Sequence, residues 1–283
     1  MLHYRALLLL ALSLLSLSGS AQADDHWLPD LRLGLLGRTH PGGVQFVGQA
    51  GVSTPLWGET DTWKYGYARL ATNFATSAVI NRVGIEVQVF PISILGFSAG
   101  YDTEARAYLP NYIDCNTLEC IGRVDRKFLK AVMVGAYKKV VFSMLGRYEE
   151  VRSYFGDQPL FYDEVTLLAG KSGGEHFLTL NPALLYTLTS EYKVGFTTLY
   201  ARAIDTGGSS NLYGPIVSFA KGRNWSGVVG GGLNSSSYVH SAITGFMSIQ
   251  YLIAPSLNVA EMGLRDKKFT PVFSEDQKQT SGN

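Results

Sequence analysis

The chain has 283 residues, 24 Lys+Arg against 23 Asp+Glu, 46% hydrophobic and 17% charged residues, and 31 glycines. A formal net charge of +1 offers no basic excess for a nucleic-acid partner, and the apolar content excludes a disordered chain. The charged fraction falls well below the roughly 25% of soluble domains.

Residues 1–23 read as a secretory signal. His3 and Arg5 precede an apolar run from Ala6 to Leu17, and Ala21-Gln22-Ala23 has the A-x-A form of a cleavage site. The run is too short for a spanning helix, which needs about 20 residues. The expected division is a signal peptide at 1–23, a main body at 24–273 and a polar tail at 274–283.

After the signal, helical periodicity is scarce and alternation recurs. At 82–89, Val83, Ile85, Val87 and Val89 alternate with Arg82, Gly84, Glu86 and Gln88. At 94–102, Leu95, Phe97, Ala99 and Tyr101 alternate with Gly96, Ser98, Gly100 and Asp102. At 140–149, Val140, Phe142, Met144 and Tyr148 alternate with Val141, Ser143, Leu145, Arg147 and Glu149. At 63–68, Trp63, Tyr65 and Tyr67 alternate with Lys64, Gly66 and Ala68. Successive side chains of a strand point to opposite faces, so each segment has one greasy face and one small or polar face. Looser candidates lie at 31–39, 44–53, 122–137, 160–170, 177–188, 192–203, 212–221, 226–234 and 241–253. The uncharged stretch from Asn224 to Ala260 is interrupted by Gly230-Gly231-Gly232 and Asn234-Ser235-Ser236-Ser237, so it reads as strands rather than a spanning helix.

Strands of about ten residues with an apolar outer face suit a closed barrel, one of only two architectures that pair every backbone group inside lipid. Aromatics near strand ends, among them Trp57, Trp63, Tyr65, Tyr101, Tyr162, Tyr186, Tyr192 and Tyr213, fit interfacial girdles. The expected fold is therefore all-β, a closed antiparallel transmembrane β-barrel of about twelve strands, with fourteen next in line. A secreted soluble sandwich or barrel would share the alternation; the long strands and few charges count against it. The expected lumen-lining residues are Arg82, Glu86, Gln88, Asp102, Arg147, Glu149 and Arg202, with Glu104 and Arg106 on the same face as Asp102.

Cys115 and Cys120 stand close together in the polar stretch NYIDCNTLECIGR. An exported protein meets an oxidising compartment, so a disulfide is expected, in a loop on the outer side between strands ending near Ala107 and starting near Gly122. The short connection Tyr137-Lys138-Lys139 should be an inner-side turn.

Catalytic signals are weak. No histidine has a serine two positions away, the spacing that would place a Ser–His pair on one strand face. Glu149 and Glu150 are neighbours and face opposite sides. No metal constellation or phosphate loop is visible, and no cofactor is expected.

In pattern, over nearly all of residues 30–253, the chain resembles the bacterial outer-membrane β-barrel proteins as a class. The resemblance implies residence in a Gram-negative outer membrane, contact with its lipid, and delivery by the barrel-assembly machinery. It departs from the class at its end, where a polar tail follows Pro271 instead of a strand closing on a terminal aromatic residue. The leading functional expectation is a narrow, porin-like barrel passing a small-molecule solute. A structural or surface-interaction barrel without a channel is the second, and a lipid hydrolase the third and disfavoured one.

Overall fold

The computed structural model describes residues 27–40, 42–58, 63–77, 79–107, 115, 117–154, 158–164, 166–222, 224–238 and 241–254. The expected signal at 1–23 and tail at 274–283 lie outside the described residues, as do His26 and His240. In chain order the strands are β1 Leu28–Thr39, β2 Gly42–Trp57, β3 Gly66–Thr76, β4 Ile80–Ile92, β5 Leu95–Arg106, β6 Gly122–Tyr137 and β7 Val140–Ser153. They continue with β8 Leu160–Asp163, β9 Leu168–Lys171, β10 Glu175–Thr187, β11 Tyr192–Ala203, β12 Ser209–Lys221, β13 Trp225–Ser236 and β14 Ala242–Ala254.

Twelve of these strands form one closed antiparallel barrel, with β10 paired to β7 and β14 paired back to β1. Closure runs from Leu31 opposite Ala254 to Arg38 opposite Phe246. It leaves no unpaired edge, which lipid requires. The remaining two strands, β8 and β9, form a separate hairpin. The segment 160–170, expected as one wall strand, is instead split between these two short strands by a turn. The barrel therefore has one strand fewer than the thirteen candidates of the sequence.

The wall obeys the alternation. On β4, Val83, Ile85, Val87 and Val89 are exposed outward while Glu86, Gln88 and Phe90 are buried inward. Phe97 is exposed on the outer face of β5, and Tyr101 shares that face nearer the rim. The start of β1, the end of β14 and the turns after β2, β4, β6, β10 and β12 lie at one end of the barrel, called here the terminal end. An outward aromatic belt marks it, with Trp57, Tyr137, Tyr186, Tyr192, Trp225 and Tyr251 all exposed. Amphipathic rings of this kind favour a membrane–water boundary.

Two expectations about faces fail. Tyr65 and Tyr67 do not join the outer belt: both are fully buried inside the wall, Tyr67 stacked on Phe90 with ring centroids 4.4 Å apart. The greasy face of 63–68 is thus the inner one, and Arg69, next on that face, pairs with Asp30 behind it. Arg202 is exposed on the outer side of β11, in step with Phe196, while Ala201 and Ala203 face inward. It cannot line the lumen.

Candidate functional site

The interior is unevenly lined. Inward side chains of β1–β7 are largely charged or amide-bearing, whereas those of β10–β14 are mostly small or apolar, with Glu175, Lys193, Asn234 and Gln250 as exceptions. Toward the terminal end the apolar half closes on itself: Val134, Val141, Leu185 and Ile216 form a buried cluster with Val228 and Phe246 against it. Tyr65, Tyr67 and Phe90 fill the neighbouring arc.

At the opposite end the connection from β7 to β10 folds inward. Its hairpin, with Leu160 opposite Lys171 and Asp163 opposite Leu168, lies inside the barrel mouth. Apolar burial holds one side: Phe161 and Leu168 pack with Val124, Val151, Phe177, Ala201 and Ala203 of the wall. Phe161 meets Phe177 edge-on at 6.2 Å, an arrangement favoured by ring quadrupoles. The hairpin's turn reaches the far wall, where Ser210 Oγ donates to the Thr166 carbonyl, Ser236 Oγ to the Leu167 carbonyl, and Arg38 to the Glu164 carbonyl. The mouth is therefore spanned from β7 and β10 across to β12, β13 and β1.

Charge locks the same hairpin. Asp163 accepts from Arg126 Nη2 at 2.7 Å, and its second oxygen caps the turn by accepting from the Thr166 amide and hydroxyl. Arg126 also donates to Glu104 at 2.9 Å, Arg106 donates to Glu104 at 2.6 Å and to the Tyr162 carbonyl, and Arg82 lies 2.7 Å from Glu104. Burial alone would raise the Asp163 carboxyl, but Arg126 and Arg106 outweigh it and hold it below the usual carboxylate range. Removing one partner from such a buried pair costs about 3–5 kcal/mol.

The remaining loop adds a third layer. Cys115 and Cys120 are disulfide-bonded with their Cα atoms 5.7 Å apart. Leu118 and Cys120 pack against Tyr162, Leu167 and Ala169. Glu119 accepts from the Tyr162 amide and donates its own amide to the Leu160 carbonyl, so the disulfide loop bridges to the hairpin like a short parallel strand.

Along the charged arc of β1–β7 lies a cavity of about 610 Å³, lined by these strands and by Gln250 of β14. Lys130 donates to Glu86 at 2.8 Å, and Arg147 donates to Glu149 at 2.8 Å and to Asp102 at 3.3 Å. Arg69 holds Asp30 through two nitrogens, at 2.7 and 2.5 Å, and reaches Gln88 at 3.2 Å. Glycine makes room for this wall: a Cβ on Gly84 would sit 1.8 Å from Asp102 Oδ1. Six of the seven residues expected in the lumen thus face inward, and Arg202 is the exception. Sequence reading passed over Asp30, Arg69, Arg126, Lys130 and Asp163. The alternation of Val124, Arg126, Phe128, Lys130 and Val132 within 122–137 was the signal for two of them.

On the outer face near the mouth, His176 Nδ1 lies 2.8 Å from Asp205 and its ring stacks on Tyr148. Among the described residues no serine or threonine hydroxyl is hydrogen-bonded to this histidine.

Among the described residues no helix is long and apolar enough to cross a membrane; the apolar outer face belongs to strands. The architecture is that of an outer-membrane β-barrel. Solved structures to which the chain is similar include the COG4313 outer membrane channel from Pseudomonas putida F1, at 7% identity over 83% of this chain and 98% of that one, TM-score 0.48. They also include the KdgM porin in complex with disordered oligogalacturonate, at 12% identity over 78% and 98%, TM-score 0.40. The beta domain of the Bordetella autotransporter BrkA is a third, at 11% identity over 80% and 99%, TM-score 0.41. No protein-family profile and no curated protein matches the chain.

Proposed function

We propose that this protein is a plugged outer-membrane passage for small polar solutes. The observation that carries the reading is an interior cavity bordered by Arg82, Glu86, Asp102, Lys130 and Arg147 in a barrel whose mouth is spanned by an inward-folded hairpin, since a barrel built only as a wall has no need of charged groups around an open interior. In this reading residues 1–23 direct export and are removed after Ala23, and the barrel-assembly machinery inserts the chain into outer-membrane lipid. The terminal end faces the periplasm, because outer-membrane barrels keep short turns there and long loops outside. The hairpin and the disulfide loop then close the outer mouth.

A second reading, a structural barrel without a channel, draws on the apolar cluster around Val134 and Ile216, which narrows the terminal end. Planar-bilayer recording separates the two. The passage reading expects rare, small conductance steps from the whole chain and frequent larger ones once residues 159–172 are replaced by a short Gly/Ser link. Silence from both, with protein shown to be folded, favours the structural barrel.

A further inference from the structure

The ion pairs around the chamber share an orientation. Lys130 keeps 22% of its side-chain surface open while its partner Glu86 keeps 2%. Arg82 keeps 20% against 1% for Glu104, and Arg147 keeps 18% against 7% for Asp102 and 1% for Glu149. Arg32 keeps 10% against 0% for Asp30. In each of these pairs the cation borders the cavity and is the more exposed partner, although Glu86 and Asp102 border it too.

Phe128 helps to set this direction. Its buried ring lies under Lys130 Nζ at 4.7 Å and under the Arg147 guanidinium at 4.2 Å, so both cations are held over an aromatic face. Of the residues bordering the cavity, Arg32, Arg82, Lys130 and Arg147 are cationic and only Glu86 and Asp102 are anionic. The pairs also leave donors over: Glu104 takes Nε and Nη2 of Arg82, and Glu149 with Asp102 takes Nε and Nη2 of Arg147. Neither pairing uses Nη1.

An ion pair seen end-on is a dipole. A solute in the cavity meets the near, positive end first, and the Coulomb energy falls with distance to the far end. A wall of such dipoles attracts acceptors and anions although its total charge is nearly balanced. Charge-assisted hydrogen bonds from guanidinium to carboxylate add to that preference. The volume, about 610 Å³, lies within the roughly 300–1,000 Å³ of small-molecule sites.

We infer that the chamber is an anion-selective subsite for small carboxylates. This rests on the passage reading for its purpose, but not for its chemistry.

The test uses three polyols built on a six-carbon chain, of similar size and different charge: gluconate, sorbitol and N-methylglucamine. Uptake is measured into proteoliposomes holding the full chain. Gluconate should enter fastest and N-methylglucamine slowest, with about a tenfold spread, the size of one hydrogen bond to a charged group. The double variant Glu86→Gln/Lys130→Gln removes one pair without stranding a buried charge, and should narrow the gluconate advantage. A heat-dependent shift on unheated gels establishes that it folds. Equal rates for the three solutes would overturn the anion preference and leave the passage intact. Failure of all three solutes to enter would overturn the passage. In that case titration calorimetry on detergent-solubilised protein decides the subsite: gluconate binding at least about tenfold tighter than sorbitol supports it, and equal or absent binding overturns it.

Discussion

Arg126 of β6 donates to Asp163 of the inserted hairpin at 2.7 Å, with both side chains sealed from solvent at 1% and 0% exposure. This contact joins wall to plug. Asp163→Asn leaves Arg126 only Glu104 as a carboxylate partner and should weaken the hairpin's seat by about 3 kcal/mol, the low end for breaking a buried pair. The barrel ladder is untouched, so thermal unfolding of the wall should change little while channel openings become frequent. Unchanged opening frequency would show that the apolar contacts of Phe161 and Leu168 suffice.

The same pair sets a pH response. Arg126 and Arg106 hold the Asp163 carboxyl below the ordinary value of 3.8. A depressed folded-state value contributes stability that is fully present above 3.8 and is lost as pH falls through the lower folded value. The plug should therefore stay seated from neutrality down to about pH 4 and loosen only in stronger acid. Recording opening frequency against pH checks this, with Asp163→Asn as the comparison that should lack the acid transition.

The disulfide loop lies outside the barrel wall but rests on the plug. Replacing Cys115 and Cys120 by serine should cost at most about 2–3 kcal/mol, because the closed ring is small. The variant should still show a heat-dependent gel shift, yet open more often, since Leu118 and Glu119 lose their fixed seat against Tyr162 and Leu160. Failure to reach the membrane would make the loop essential to assembly. Mass measurement after extraction under alkylating conditions reports whether the two thiols are joined.

Val87 is 55% exposed on the outer face of β4. Val87→Arg should cost about 2–4 kcal/mol near the bilayer midplane, measured by urea unfolding in lipid. Gln88 is a poor inward control, because its amide already accepts from Arg69 and a second guanidinium would collide with it. Gln45, which borders the chamber, is the better control, and Gln45→Arg should cost much less. Equal costs would contradict the assigned faces.

Much of this fold was legible because period-2 alternation on β4, β5 and β7 is strong and one-sided. It misled where an inner surface is itself apolar. Tyr65 and Tyr67 carry the same pattern as lipid-facing residues, and only the position of Arg69 on their face betrays the inversion. The hairpin β8–β9 was hidden for a related reason: Phe161, Leu168 and Ala169 read as a wall strand, although Lys171 and Asp163 bound it closely. Arg202 shows the limit for single charges, since a lone arginine near a strand end is equally at home outside at the rim. Partners such as Arg126 and Asp163, 37 residues apart, depend on how a loop folds back, which local pattern does not encode.

Cell fractionation followed by unheated and heated gels of the purified membrane fraction tests most directly whether the chain is a membrane-spanning barrel. The expected result is recovery of the mature chain in the outer membrane, migrating at a different apparent size before heating than after it. Recovery in the soluble periplasm, with no heat-dependent shift, would contradict the barrel and everything built on its lumen.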